Sequence, residues 1–160
     1  MTKCSKSYTS LDDVSCGFSG LFSLTDPVRI EAVHWRDNGC FWGCVQCRRK
    51  VDTKCSLHPD SGSKVYYRLR VLIRQGDVLL WLTAFDEIAT IIVGTPASEY
   101  GSLDVLGRRK LVDSVVGLHF LVNVVKTVKS GFTNFAFAKI YPARTKFPDA
   151  VLDSIKPTVC

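Results

Sequence analysis

The chain has 160 residues, 46% hydrophobic and 22% charged, with 21 Lys and Arg against 15 Asp and Glu for a net charge of +6. That length fits one ordinary domain with a real core, and nine Phe, five Tyr and three Trp exclude disorder for most of it. No apolar run approaches the roughly 18–20 residues of a membrane-spanning helix, and Met1-Thr2-Lys3-Cys4-Ser5-Lys6 has no apolar stretch behind it that would fit a secretory signal.

Residues 1–13 are polar and rich in Ser, Thr and Lys, which predicts a tail or a loosely docked lead-in. Segment 14–24 sets Phe18, Leu21, Phe22 and Leu24 among glycines and reads as a short edge element or an irregular cover. Asp26-Pro27 marks a turn. The alternation over 28–35 predicts a strand with Val28, Ile30 and Ala32 on one face and Arg29, Glu31 and Val33 on the other.

The cysteines come next. Cys44-Val45-Gln46-Cys47 is a C-x-x-C, Cys55-Ser56-Leu57-His58 is a C-x-x-H, and seven residues separate the halves. Each half aims two soft ligands at one point, and the link is long enough for a small hairpin. Three thiolates and one imidazole would make a closed tetrahedral zinc site of the structural type, with no open position for catalysis. Cys40 in place of His58 would give a four-cysteine site, and a redox pair is the competing use of the C-x-x-C. The Arg48-Arg49-Lys50 run offsets part of the thiolate charge. An odd count of seven cysteines argues against a disulfide framework; Cys4, Cys16 and Cys160 read as core or terminal thiols.

After a turn at 59–63, segment 64–74 alternates cleanly. Val65, Tyr67, Leu69, Val71 and Ile73 share one face, and Lys64, Tyr66, Arg68, Arg70, Leu72 and Arg74 the other. Gln75-Gly76-Asp77 turns the chain into a second strand, 78–85, where Trp81 and Phe85 share a face. Segment 86–93 opens with two acids and stops before Gly94, which predicts a short helix. Helical pieces are also expected at 96–100 and 108–116, then a hairpin of strands 118–128 and 132–141, and a final short helix at 147–155.

Five strands with helices between the third and fourth make a mainly β chain with the layout of an OB-fold barrel. Here a metal module is inserted between the first two strands. The expected organisation is an extension over 1–27, a zinc-containing OB domain over 28–142, and a tail or helix over 143–160.

Four stretches and the second knuckle carry a resemblance. They are CVQCRRKV (44–51), Cys55 with His58, YYRLRVLI (66–73), WLTAFDEIATIIVG (81–94) followed by Pro-Ala-Ser-Glu-Tyr, and HFLVNVVKTVKSGFTNFAFAKIYP (119–142). In order and spacing they resemble the zinc-ribbon OB domain of the replication protein A large subunit, its third DNA-binding domain. The fourth ligand of that family is Cys where this chain has His58. The family's long trimer-forming helix has only 146–160 to match it here, bracketed by Pro148 and Pro157. In this respect the chain looks like the C-terminal OB region of shieldin complex subunit 2, a double-strand-break repair factor.

The resemblance implies structural zinc, single-stranded DNA, and protein subunits of a repair complex as partners, in the nucleus on chromatin. It implies no membrane and no small-molecule substrate. The DNA-binding residues expected are Lys64, Tyr66, Arg68, Arg70, Arg74, Trp81, Lys126 and Lys139, with Lys129, Phe135 and Phe137 beside them on the last hairpin. The alternative is a protein-docking module using the apolar segments 18–24 and 111–125. The chain has no G-x-S-x-G, no H-E-x-x-H, no phosphate-cradling glycine loop and no deaminase signature, and His119 reads as a core histidine, so an enzyme is not expected.

Overall fold

The computed structural model describes residues 10–36 and 39–142, and the expected helix at 147–155 lies outside the described residues. The elements in chain order are α1 (Leu11–Cys16), β1 (Gly20–Ser23), β2 (Val28–Val33), β3 (Cys40–Cys44), β4 (Ser63–Gln75), β5 (Val78–Phe85), α2 (Asp86–Val93), α3 (Ala97–Ser102), α4 (Val105–Asp113), β6 (His119–Lys129) and β7 (Phe132–Pro142).

The alternation of β4 and β5 pairs them over eight register positions, from Arg68 opposite Phe85 to Gln75 opposite Val78. β6 and β7 form the second hairpin. A parallel contact of Thr83 with Ala136 joins β5 to β7, and β2 links β4 to β6, so the sheet closes on itself. The order β2-β4-β5-β7-β6 around the barrel, with helices between β5 and β6, is the OB-fold. Valines, leucines and isoleucines of alternate positions fill it: Val28, Ile30, Leu69, Val71, Ile73, Leu82, Val122 and Val124 are buried.

Among the described residues there are seven strands where the sequence predicts five. β1 adds to the outer edge of β6, and β3 pairs the first half of β4 while β2 pairs the second half. The long β4 thus carries two shorter strands end to end, and the cysteine module hangs from the second of them.

The alternation expected for β2 fails at one point. The register slips between Ile30 and Ala32, so Val33 is buried and Ala32 is not. Residues 10–24 are also more tightly held than a polar lead-in. A Ser10–Asp13 capping box starts α1, Leu11 and Val14 are fully buried, and the Leu11 N–H donates to Gln75 Oε1 at 2.7 Å.

The helices behave as their termini dictate. α2 buries Ala89, Ile92 and Val93 and stops at Gly94, whose φ of 80° takes the left-handed cap. Asp86 at its start accepts the Tyr67 backbone N–H at 3.1 Å, which docks the helix on β4. α4 starts at Val105, three residues before the predicted 108, because Asp104 caps it through the Gly107 N–H at 2.7 Å. Among the described residues no helix is long and apolar enough to cross a membrane.

Candidate metal centre and nucleic-acid interface

β3 turns back on itself to make the first knuckle. The Val51 N–H donates to Trp42 O, the Cys44 N–H to Arg49 O, and the Arg48 N–H to Cys44 O, at 2.9, 2.9 and 2.7 Å. The second knuckle is closed by the Ser61 N–H on His58 O at 3.1 Å. The Ser61 hydroxyl donates to Gln46 Oε1 at 2.7 Å and ties the two together.

This brings Cys44, Cys47, Cys55 and His58 into one cluster with all ligand atoms within 4.8 Å. Cys47 Sγ to Cys55 Sγ is 3.6 Å, Cys55 Sγ to His58 Nδ1 3.7 Å, and Cys44 Sγ to His58 Nδ1 3.8 Å. Ligands at about 2.0–2.3 Å around a tetrahedral ion stand about 3.5–3.8 Å apart, so the cluster is close enough to hold a metal ion and its donors suit zinc. The fourth position goes to His58, not to Cys40, whose Sγ lies 3.8 Å from Ala97 O on the helical side.

The Cys47 backbone N–H pulls the Cys44 thiol down to about 7, against burial that pushes it up, and the Gln46 N–H adds to the lowering. Cys47 sits above its ordinary value: the Arg49 N–H lowers it, but burial and the neighbouring Cys55 and Cys44 outweigh that. Such crowding of thiols is relieved when they share a cation.

The outer face of β4 and β5 forms the floor of a groove. Opposed residues of an antiparallel pair share a face, so Arg68 stands beside Phe85, Arg70 beside Thr83, Leu72 beside Trp81 and Arg74 beside Leu79. Phe41 of β3, Arg48 and Lys50 of the first knuckle, and Asn134 near the β6–β7 turn complete the lining around about 680 Å³. At the edge, Arg68 N–H donates to Gly39 O at 2.7 Å. Gly39 has a φ of 60°, and a Cβ there would meet Leu69 Cδ1 at 2.5 Å, so a larger residue would be strained and would push the Leu69 side chain aside.

Of the eight expected DNA contacts, Arg68 and Arg70 line this groove. Trp81 is 39% exposed and lies 5.8 Å from the Arg70 guanidinium, one step along the same face. Arg74 is on that face at the far end, with Nε on Glu31 at 3.2 Å. Lys64 is exposed on the knuckle side of β4, and Lys139 is exposed on β7 outside the groove lining.

Two expectations are corrected. Tyr66 is only 2% exposed, because Phe41 and the cations of Arg48 and Lys64 cover its ring. Lys126 is 8% exposed and its Nζ donates to the carbonyls of Val14, Ser15 and Gly17 at 3.1, 2.9 and 2.6 Å. It is a cation at the C-terminus of α1, not a groove residue. Phe137 is in the core and Phe135 is half-buried beneath Lys126.

Phe41, Arg48, Lys50, Thr83 and Asn134 are groove residues that strand patterning does not reveal. The basic run Arg48-Arg49-Lys50 is the sequence signal for two of them.

No family profile and no curated protein matches the sequence. Solved structures do match the fold. One is described as the structure and conformational change of a replication protein A heterotrimer bound to ssDNA, with a TM-score of 0.69 and 14% identity over 90% of this chain. Another is yeast RPA bound to ssDNA, with a TM-score of 0.63 and 18% identity over 94% of this chain and 96% of that one. This chain spans 36% of the first neighbour's length. The fold and site define an OB barrel with a Cys3His cluster built into one wall of a basic groove.

Proposed function

We propose that this chain binds single-stranded DNA through the groove on β4 and β5, as a binding module and not an enzyme. One observation carries the reading: four cations, Arg48, Lys50, Arg68 and Arg70, converge with Phe41 and the exposed Phe85 on the outer face of an OB barrel. Cations track the phosphates while aromatic rings stack the bases, at about 1–3 kcal/mol per base. The two RPA neighbours, described as bound to ssDNA, support it. In this reading zinc occupies the Cys44, Cys47, Cys55 and His58 cluster as a structural ion.

The finer placement rests on the sequence resemblance. We place the module in a DNA-repair or genome-maintenance complex of the nucleus, on chromatin, in double-strand-break end protection of the shieldin kind. A docking role for a partner subunit has its own observation. Among the described residues β1 pairs with β6 alone, and Phe18 before it and Leu21 within it are 92% and 65% exposed.

The test is fluorescence anisotropy of the zinc-loaded protein with oligo-dT of ~30 nucleotides at two salt concentrations. Salt-sensitive binding tighter than ~10 μM is expected. No binding at low salt would leave the docking reading alone.

A further inference from the structure

Arg48 is where the metal module meets the groove, and its backbone is unusual. Its φ is +64°, a left-handed conformation that costs a non-glycine residue about 1–2 kcal/mol. The guanidinium stands 5.1 Å from the centroid of the Tyr66 ring. Its Nη2 donates to Glu87 Oε2 at 2.6 Å.

Glu87 lies in the first turn of α2, two residues beyond the groove residue Phe85. Arg48 holds its carboxyl below the usual range, so it is an anion at neutral pH. Among the described residues, Lys50, Arg68 and Arg70 carry no such ion pair. Arg48 is therefore the groove cation that already has a counter-ion.

We propose that Glu87 is an internal counter-ion for Arg48, which a nucleic-acid phosphate must displace, so that the pair restrains the groove's affinity. The proposal rests on the single-stranded DNA reading above. The pair is built to exchange. Its side chains are 50% and 65% exposed, and an ion pair in water is worth little. Losing Glu87 does not set Arg48 adrift, because the knuckle backbone and the Tyr66 ring still hold it. A brace would have the opposite character: buried, with more than one hydrogen bond at each end.

The experiment is a double-mutant cycle on the full zinc-loaded chain, with Glu87→Gln, Arg48→Gln and the pair, read by anisotropy with oligo-dT across a salt series. Glu87→Gln is expected to tighten binding about two- to five-fold, because phosphate no longer competes with a carboxylate for Arg48, and to leave the slope of log K against log salt unchanged, because Arg48 meets a phosphate in both proteins. In the Arg48→Gln background the same change should give no gain in affinity. Glu87→Gln binding that is unchanged or weaker overturns the counter-ion role. A gain that persists without Arg48 also overturns it, because the effect would then be one of net charge. If wild type and Glu87→Gln both fail to bind, the DNA reading falls, and this proposal with it.

Discussion

If zinc fills the Cys3His cluster as proposed, removing Cys47 should melt one part of this molecule and spare the rest. The module has a small cluster of its own, Cys44, Val51 and Cys55, separate from the barrel core. Two of those three belong to the Cys3His cluster, so Val51 is the one aliphatic side chain it buries, worth about 1.5–3 kcal/mol. The roughly eighteen residues from Val45 to Gly62 must be ordered against about 1–2 kcal/mol of backbone entropy each. They contain no helix or strand, only the Gly43–Lys50 bridge and a few turn hydrogen bonds. A structural zinc contributes about 10–16 kcal/mol, several times what Val51 supplies. Cys47→Ser, or a strong chelator, is therefore expected to unfold 45–62 locally. β3 stays in place, since its five pairs with β4 and the packing of Cys40 against the core do not involve the ion. The assay is hydrogen exchange by mass spectrometry, with metal content measured in parallel. Amides of 45–62 should lose protection while those of β4, β5 and β6 keep theirs, and DNA affinity should fall as Arg48 and Lys50 leave the groove. Unchanged exchange over 45–62 in protein shown to be metal-free would refute the reasoning.

Arg68→Glu with Arg70→Glu should weaken oligo-dT binding at least ten-fold and flatten the salt dependence, with the circular dichroism of the barrel unchanged; unaltered affinity would move the binding face elsewhere. Lys126→Met should cost about 2–4 kcal/mol in urea unfolding, because three carbonyls lose a charged donor, yet leave the DNA salt slope untouched. A shallower slope in that variant would return Lys126 to the DNA contacts. Tyr67 is fully buried, its hydroxyl donates to Thr95 O at 2.6 Å, and burial foremost raises its pKa above the ordinary value of about 10. A group held neutral in the fold stabilises it below the unfolded pKa and loses that contribution as pH rises past it. Wild type should thus lose its stability advantage over Tyr67→Phe above about pH 10, whereas parallel curves of unfolding free energy against pH would contradict the burial argument.

What was legible in the sequence is what period and spacing encode. Strict alternation over β4 and β5 marks both strands and places Arg68 and Arg70 outward, since their inward neighbours are Tyr67, Leu69 and Val71. The two ligand pairs are readable because each knuckle is local, and closing them needs only the short link. Choosing His58 over Cys40 needed the fold: Cys40 begins β3 and pairs Tyr67, four residues from the first knuckle cysteine and on the side of α3. Tyr66 and Lys126 were misplaced for a common reason. Alternation says which face of a strand a residue takes, but not what later covers that face. The metal module covers Tyr66, and α1 covers Lys126. The helix α1 itself was hidden in a polar stretch, where Leu11 and Val14 are too few to show a period.

The insertion point of the metal module explains why it belongs to the groove and is not an appendage. β4 is 13 residues long, and β2 covers only its second half. The first half would be an open edge, which invites pairing with other chains. β3 fills it in fixed register, with Phe41 opposite Tyr66 and Cys44 opposite Ser63. Because Cys44 is both the last residue of β3 and a member of the Cys3His cluster, the position of the cluster along β4 is set by the sheet. The first knuckle then places Arg48 and Lys50 on the same groove that Arg68 and Arg70 floor. Two of the four groove cations thus depend on ordering of the knuckle, and two depend only on the barrel. A metal-free protein should retain the salt dependence due to Arg68 and Arg70 and lose the part due to the knuckle, so a residual slope, not its abolition, is the signature of this arrangement.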